Sequence, residues 1–547
     1  MKILVTSPSR KSAPANNDVY DLILQQDDWN DFSFITKYDL YLTKKITKSD
    51  AVEYAGAVKI IKKGQVDDYS FMVAVGELEA LSNQFCSVGQ SLDYYDRLSK
   101  LEPDLRDDIL NALRDINTFD YQLEGFKNEK VWEKSVMRDL KDDDDIFTLP
   151  QYILKHQFSS IPSIDVKFIF SHSGMINPLC LDFDSAQYGF FNYQKLPCRM
   201  AVIVGRNGSG KSTTLARLSK VAYSSTQDRK GNVIKNIGEI FPDGMGFPKV
   251  INVSYSAFDS FQIPGITYKE KLQLRNDILE GKGRYLYCGV RDVCSELDLE
   301  LKKINDGVIS ENYIATDRQE QTILKSLQVL SEEFCQAYYD VRNNEYKRNV
   351  FISAMNKLKE EASLSQIVDD LLMDDFSINP VSYFHGLSTG HKFVLHSMIH
   401  IIAYAEKRCL VLFDEPETHL HPPLLAVLMS SLRIVLNAVD AFAIIATHSP
   451  VVVQETLSKN VNVISRSGNL TDFQKPDIET FGENIGSITS SVFSLTTQVT
   501  DYHNELDKVI KEYRSRPNAL ELIETCFEQG LSIQARAYIM SKLATKG

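Results

Sequence analysis

The run Gly205-Arg-Asn-Gly-Ser-Gly-Lys-Ser212 constrains the fold of this chain more than any other eight residues. The apolar stretch Met200-Ala-Val-Ile-Val204 before it reads as a buried strand. The segment Thr213-Thr-Leu-Ala-Arg-Leu-Ser219 after it is compatible with a helix. Glycines at this spacing let backbone N–H groups turn inward around phosphate oxygens, and the helix start adds partial positive charge. A strand–loop–helix unit of this kind belongs to an α/β fold. Gly205, Arg206, Asn207, Gly208, Ser209, Gly210, Lys211, Ser212 and Thr213 are therefore the expected ATP-binding residues. Lys211 is expected to reach the β- and γ-phosphates and Ser212 to ligate Mg²⁺. A chance glycine-rich turn is the alternative, and the flanking strand and helix weigh against it.

A second apolar run, Cys409-Leu-Val-Leu-Phe413, ends in Asp414-Glu415 and is followed by Pro416-Glu417. Packing alone does not put two carboxylates at the end of a buried strand, because both need partners. Asp414 is read as the Mg²⁺-holding acid and Glu415 as the general base that polarises water. A third run, Phe442-Ala-Ile-Ile-Ala446, leads to Thr447-His448, at the sheet edge where ligands gather in such folds. His448 is read as a γ-phosphate sensor rather than a merely exposed imidazole. His419 and His421 stand only two apart after the acids, and a zinc pair is disfavoured there.

Leu387-Ser-Thr-Gly-His-Lys392 opens a further helix-compatible stretch, Phe393 to Ala405. Ser388 can cap that helix, and Gly390 permits close approach of backbone to an anion. One nucleotide cannot easily lie against both this segment and its own P-loop. The economical arrangement is a head-to-tail pair of chains, a homodimer or higher even oligomer. Leu387, Ser388, Thr389, Gly390 and Lys392 of one copy would then cover the nucleotide of the other.

At 547 residues the chain exceeds a single core, and three or more structural units are expected. The expected organisation is an N-terminal α+β accessory, partner-binding region at 1–160, and core segments at 161–275 and 381–495. A helical insertion at 276–380 and a helical tail at 496–547 complete it. Tyr38–Thr43 and Ser70–Val75 read as strands, and Leu92–Leu101 and Asp107–Ile116 as helices. Ile323, Leu327, Leu330, Phe334, Tyr338 and Val341 share one helical face and read as a core-facing stripe. The aspartates after Lys141 read as a solvated loop. No apolar run is expected to span a membrane. The eight scattered cysteines suggest neither disulfides nor a zinc site, which points to a reduced cytoplasmic setting. The net charge of −13 argues against coating nucleic acid with the whole surface.

Taken in order, Gly205–Ser212, Leu387–Lys392, Asp414–Glu415 and His448 resemble the ABC-type P-loop ATPases of the SMC-like and DNA-repair branch. That resemblance implies a mixed β-sheet core, and the roles of signature serine, catalytic glutamate and switch histidine. The glutamine this family places between P-loop and signature has no clear match: Asp259 and Gln262 both stand near it, and the position is unassigned. A narrower resemblance rests on Val253-Ser-Tyr-Ser-Ala-Phe-Asp259, Asp414-Glu-Pro-Glu-Thr-His-Leu-His-Pro422 and Glu479-Thr-Phe-Gly-Glu-Asn-Ile-Gly486. These are similar to the PtuA ATPases of Septu anti-phage systems. The N-terminal Gly89-Gln-Ser-Leu-Asp-Tyr-Tyr95 and Ile109–Ile116 are similar to the versions found with retrons. The resemblance implies an HNH nuclease partner (PtuB-like) and a reverse transcriptase with its msDNA. This chain itself has no HNH-like cluster, its ten histidines being dispersed. Two alternatives are weighed: an OLD-type ATPase-nuclease and an SMC-like DNA-repair ATPase. The first needs an Asp-x-Asp after His448, which does not occur, and the second a long coiled coil, for which clean heptads are lacking.

Overall fold

Seven strands form the sheet that carries the P-loop. Their order is Tyr285–Gly289, Val250–Ser254, Leu410–Asp414, Phe442–Thr447, Met200–Val204, Val461–Ser467 and Leu470–Gln474. The first six run parallel and the last is antiparallel. The fold is thus mixed α/β. This is a computed structural model that describes residues 1–547 except 10–12, 119, 163–165, 184–197, 258, 260, 310–317, 320, 374–379, 494–501 and 545–547.

Parallel strands covered on both faces read as continuous apolar runs. Met200–Val204 and Phe442–Thr447 accordingly have every residue buried. Register places Val204 opposite Thr447, and Asp414 opposite both Ala446 and Ser254. The C-terminal ends of these four strands therefore reach one edge together, and the loops that follow them must share that edge.

Tyr285–Gly289 lies inside 276–380, the segment read from sequence as a helical insertion, and instead completes the sheet. Its five residues are flanked by the helices Tyr268–Leu279 and Val293–Asn305, whose longer pattern masks a short strand. The stripe is corrected in part as well. Helix Leu327–Arg342 buries Phe334, Tyr338 and Val341, whereas Ile323 precedes the helix and Leu327 is 42% exposed. Pro422–Val439 is also long and apolar enough, by length and composition, to cross a membrane, contrary to the sequence expectation. Half of it is buried inside this chain, and Ser431 Oγ donates to the Ala354 carbonyl of helix Glu345–Leu358 at 2.9 Å.

The N-terminal region forms a six-stranded sheet ordered Gly76–Leu78, Ile3–Thr6, Leu22–Gln26, Lys37–Leu42, Glu53–Lys62 and Phe85–Gly89. Helices Leu92–Ser99 and Pro103–Leu113 follow it, and Tyr38, Tyr94, Tyr95 and Leu98 are fully buried. Ser70–Val75 is not a strand: only Phe71 makes an isolated bridge, to Ile35, and Val75 is exposed.

Buried ion pairs join this region to the ATPase core. Arg284 Nη1 donates to Asp93 Oδ2 at 2.7 Å, Arg97 Nε to Asp277 Oδ2 at 3.2 Å, and Lys269 Nζ to Asp39 Oδ2 at 2.7 Å. Arg408, two residues before the Leu410–Asp414 strand, grips both oxygens of Asp145 at 3.1 and 2.7 Å. The aspartate run is therefore solvated only in its first half. Asp142 and Asp143 are exposed, Asp144 is buried, and Asp145 is an anchor that also accepts from Gly246 N. Residues 1–485 make one compact unit. Residues 486–547 make a second, with helices Tyr502–Tyr513, Ala519–Glu524 and Ile533–Ala544 around Leu506, Ile510, Ile523 and Ile539.

Removing one partner of a buried pair leaves the other charge without compensation, which costs about 3–5 kcal/mol. Asp93→Ala is therefore expected to lower the urea midpoint of the unit spanning residues 1–485 clearly, while Asp142→Ala, on the exposed side of the aspartate run, leaves it unchanged.

Candidate nucleotide site

The P-loop strand Met200–Val204 ends in a loop whose geometry only glycine permits at several points. Gly208 and Gly210 adopt φ values of 79° and 103°, in the left-handed region. A Cβ on Gly205 would sit 2.4 Å from the Ile464 carbonyl oxygen of the neighbouring strand. Arg206, Asn207 and Gly208 face solvent, and Ser209 Oγ is buried with no hydrogen-bond partner. Helix Lys211–Tyr223 begins directly after this loop. Lys211, only 4% exposed, donates to the Gly205 and Arg206 carbonyls at 3.0 and 3.4 Å, so its ammonium lies folded along the loop.

Ser212 and Asp414 are 202 residues apart in sequence, yet Ser212 Oγ donates to Asp414 Oδ1 at 2.9 Å. The hydroxyl and carboxylate assigned to Mg²⁺ thus meet at one point. Loss of hydration pushes the Asp414 carboxyl up to about 7, with the nearby negative charges of Glu415 and Asp259 adding to it. A carboxylate raised by its neighbours is one that a cation would relieve. The orphaned Ser209 hydroxyl, the open glycine loop and the Ser212–Asp414 pair all fit a Mg²⁺–nucleotide. Thr213 is half-buried beside them at the helix start.

Glu415 is held at φ 47°, a conformation uncommon for a non-glycine residue, by a hydrogen bond from its N–H to the Ala446 carbonyl at 2.9 Å. His448, at the end of the adjacent strand, lies with Nδ1 3.8 Å from Glu415 Oε1 and 3.1 Å from Glu417 Oε1. The His448 backbone N–H also donates to Glu417 Oε1, at 2.7 Å. Glu417 thus orients His448 through both ring and backbone. Glu417 has no role legible from sequence alone, its place two residues beyond Glu415 being the available signal. His421 caps helix Pro422–Val439 through Nδ1, at 3.4 Å from Leu424 N, and His419 is exposed.

Ser388 caps helix Thr389–Tyr404, accepting from His391 N at 3.3 Å. Ser388 and Thr389 are exposed, while Leu387, Gly390 and Lys392 are half-buried. A Cβ on Gly390 would lie 3.2 Å from the His419 carbonyl oxygen, so this turn packs on the loop that follows Glu415. Both candidates for the missing glutamine are engaged by basic side chains. Gln262 Oε1 accepts from Lys220 Nζ at 2.8 Å, and Asp259 pairs with Arg291 at 3.1 Å.

Across 504 residues the chain is 31% identical to protein ea59 of Escherichia phage lambda, spanning 89% of each chain. It belongs to the ea59 family. Within it, residues 297–454 match the family described as "AAA domain, putative AbiEii toxin, Type IV TA system". That span contains the Ser388 turn, Asp414, Glu415 and His448 and excludes the P-loop. Residues 297–454 are thus similar to an AAA domain. Among solved structures, an SMC head bound to the C-winged helix domain of ScpA aligns at 14% identity and TM-score 0.27, covering 57% of this chain and 97% of that one. An ATP-binding cassette of an ABC transporter in its ADP conformation aligns at 13% identity and TM-score 0.27, covering 60% and 96%.

Two outcomes are expected. The Asp414 carboxyl is raised in the folded state, so the folded chain holds a proton that the unfolded chain has already lost. Stability from this group falls as pH rises from about 4 to about 7 and is flat above that. Asp414→Asn removes the effect, so its melting temperature relative to the parent should climb across that window and then level off. Glu417→Gln, which removes one charge-assisted contact to His448, should lower ATP turnover by about tenfold while leaving nucleotide affinity unchanged.

Proposed function

We propose that the chain binds and hydrolyses ATP between two copies arranged head to tail, and that this cycle gates a defence complex. The observation that carries the reading is the 2.9 Å contact between Ser212 and Asp414, with Glu415 and His448 at the same sheet edge. Backbone N–H groups of the glycine loop and Lys211 bind the triphosphate. Ser212 and Asp414 would hold Mg²⁺, which when bound would supply Lewis-acid stabilisation of phosphate charge. Glu415 takes the proton of the attacking water, and His448, positioned by Glu417, donates to the γ-phosphate.

Ser388 and Gly390 are the remaining phosphate-binding elements. The exposure of Ser388 and Thr389 supports their serving the nucleotide of a second chain, with Leu387 and Lys392 flanking them. ATP then holds the dimer or higher even oligomer together, and hydrolysis loosens it.

The finer assignment is a retron-associated Septu (PtuA-type) ATPase acting in the cytoplasm. In that role it would hold an HNH nuclease (PtuB-like) in check, together with a reverse transcriptase and its msDNA. Support comes from the motif resemblances.

Glu415→Gln should retain ATP binding and trap an ATP-dependent dimer in gel filtration, with turnover reduced about 10²–10⁴-fold. Lys211→Ala should lose nucleotide affinity itself. Turnover equal to the parent in the first variant, or ATP-independent elution in both, would remove the dimer mechanism. Co-purification of an HNH nuclease and a reverse transcriptase from their native neighbourhood tests the system assignment separately.

A further inference from the structure

A second cluster of chemically active side chains lies away from the nucleotide loop, inside the packing of helix Thr389–Tyr404. His396 and His400 are one turn apart on this helix, with ring centroids 4.1 Å apart, and both are buried. Cys288, on the sheet-edge strand Tyr285–Gly289, is 2% exposed and places Sγ 3.5 Å from His396 Nδ1. One ligand atom from each of the three falls within 4.8 Å of the others. The Tyr255 hydroxyl, just beyond strand Val250–Ser254, stands 2.5 Å from His396 Nδ1 and 3.4 Å from Cys288 Sγ.

The polar neighbours of the two imidazoles bear on what they could bind. A ligating histidine normally gives its other ring N–H to a carboxylate or a backbone carbonyl, which fixes tautomer and orientation. His400 Nδ1 lies 2.7 Å from the His396 carbonyl oxygen, to which it donates, leaving the lone pair on Nε2. His396 Nε2 is buried without a hydrogen-bond partner, and the nearest carboxylate oxygen, Glu333 Oε2, stands 3.6 Å away. With Nδ1 engaged, Nε2 carries the hydrogen and Glu333 is the acceptor it faces. Packing alone would favour an apolar side chain at Cys288, His396 and His400, since each buries polar atoms.

We infer that Cys288, His396 and His400 form a buried site for one thiophilic divalent cation of the zinc class, with the Tyr255 hydroxyl at the remaining position. One sulfur and two imidazole nitrogens are a donor set suited to Zn²⁺. On binding, a Cys288 S–Zn bond forms, the S–H bond breaks and its proton passes to solvent. No electron is transferred. The ion ties the helix that begins at Ser388 to the strand edge formed by Tyr285–Gly289 and Val250–Ser254, and so fixes the signature turn on the sheet. The site is independent of the ATP reading.

The test uses the full chain, stripped with chelator and reloaded with Zn²⁺ or Co²⁺. After desalting, the parent should retain about one Zn²⁺ per chain, and Co²⁺ loading should give a thiolate-to-cobalt charge-transfer band. Cys288→Ser should lose that band and His400→Ala should weaken retention at least tenfold. Glu333→Gln should lower affinity by about tenfold without removing the band. A parent that shows no thiolate–cobalt band overturns the site without reference to any variant's folding. A band that persists in Cys288→Ser overturns it equally.

Discussion

The chemistry of this chain depends on a shared register in one parallel sheet. Strands drawn from four separated stretches of sequence stop at the same edge, so the loop after one is forced against the acid of another. The Ser212–Asp414 hydrogen bond is the product of that alignment. A one-residue slip of Leu410–Asp414 would turn Asp414 to the opposite face and leave Ser212 without it. Apolar packing that covers both faces of these strands therefore fixes the position of a polar pair at their ends.

The ATPase half was legible because its elements announce themselves locally. Gly205–Ser212 has a strand before and a helix after, and Cys409–Glu415 joins a buried strand to two acids, so pattern and chemistry coincide within a dozen residues. The Tyr285–Gly289 strand was not legible for the opposite reason. Its five residues sit between helices, and only pairing with Val250–Ser254 makes them a strand. Asp145 looked solvated because sequence cannot show that Arg408 and Gly246 reach it. Glu417 was visible as a residue but not as a partner of His448, since their contact depends on two loops meeting. In the Cys288–His396–His400 cluster only the histidine pair four apart on one helix was visible as a ligand spacing; Cys288 lies 108 residues before His396, and no local pattern links them.

Charged pairs fasten the N-terminal region to the ATPase core. Arg284 with Asp93, Arg97 with Asp277 and Arg408 with Asp145 each place one partner in the accessory region and one next to a core strand or its flanking helix. Buried pairs of this kind add little net stability compared with well-packed apolar groups, but they are intolerant of misalignment. They fix how the two layers sit on each other more than how strongly they adhere.

Glu415 shows what such a site costs the backbone that bears it. With φ at 47° and a side chain beyond Cβ, it occupies a conformation that disfavours most residues by about 1–3 kcal/mol. Glycine or asparagine would sit there more comfortably. Directed evolution scored on heat resistance alone would therefore erode this position early, exchanging its carboxylate for backbone ease.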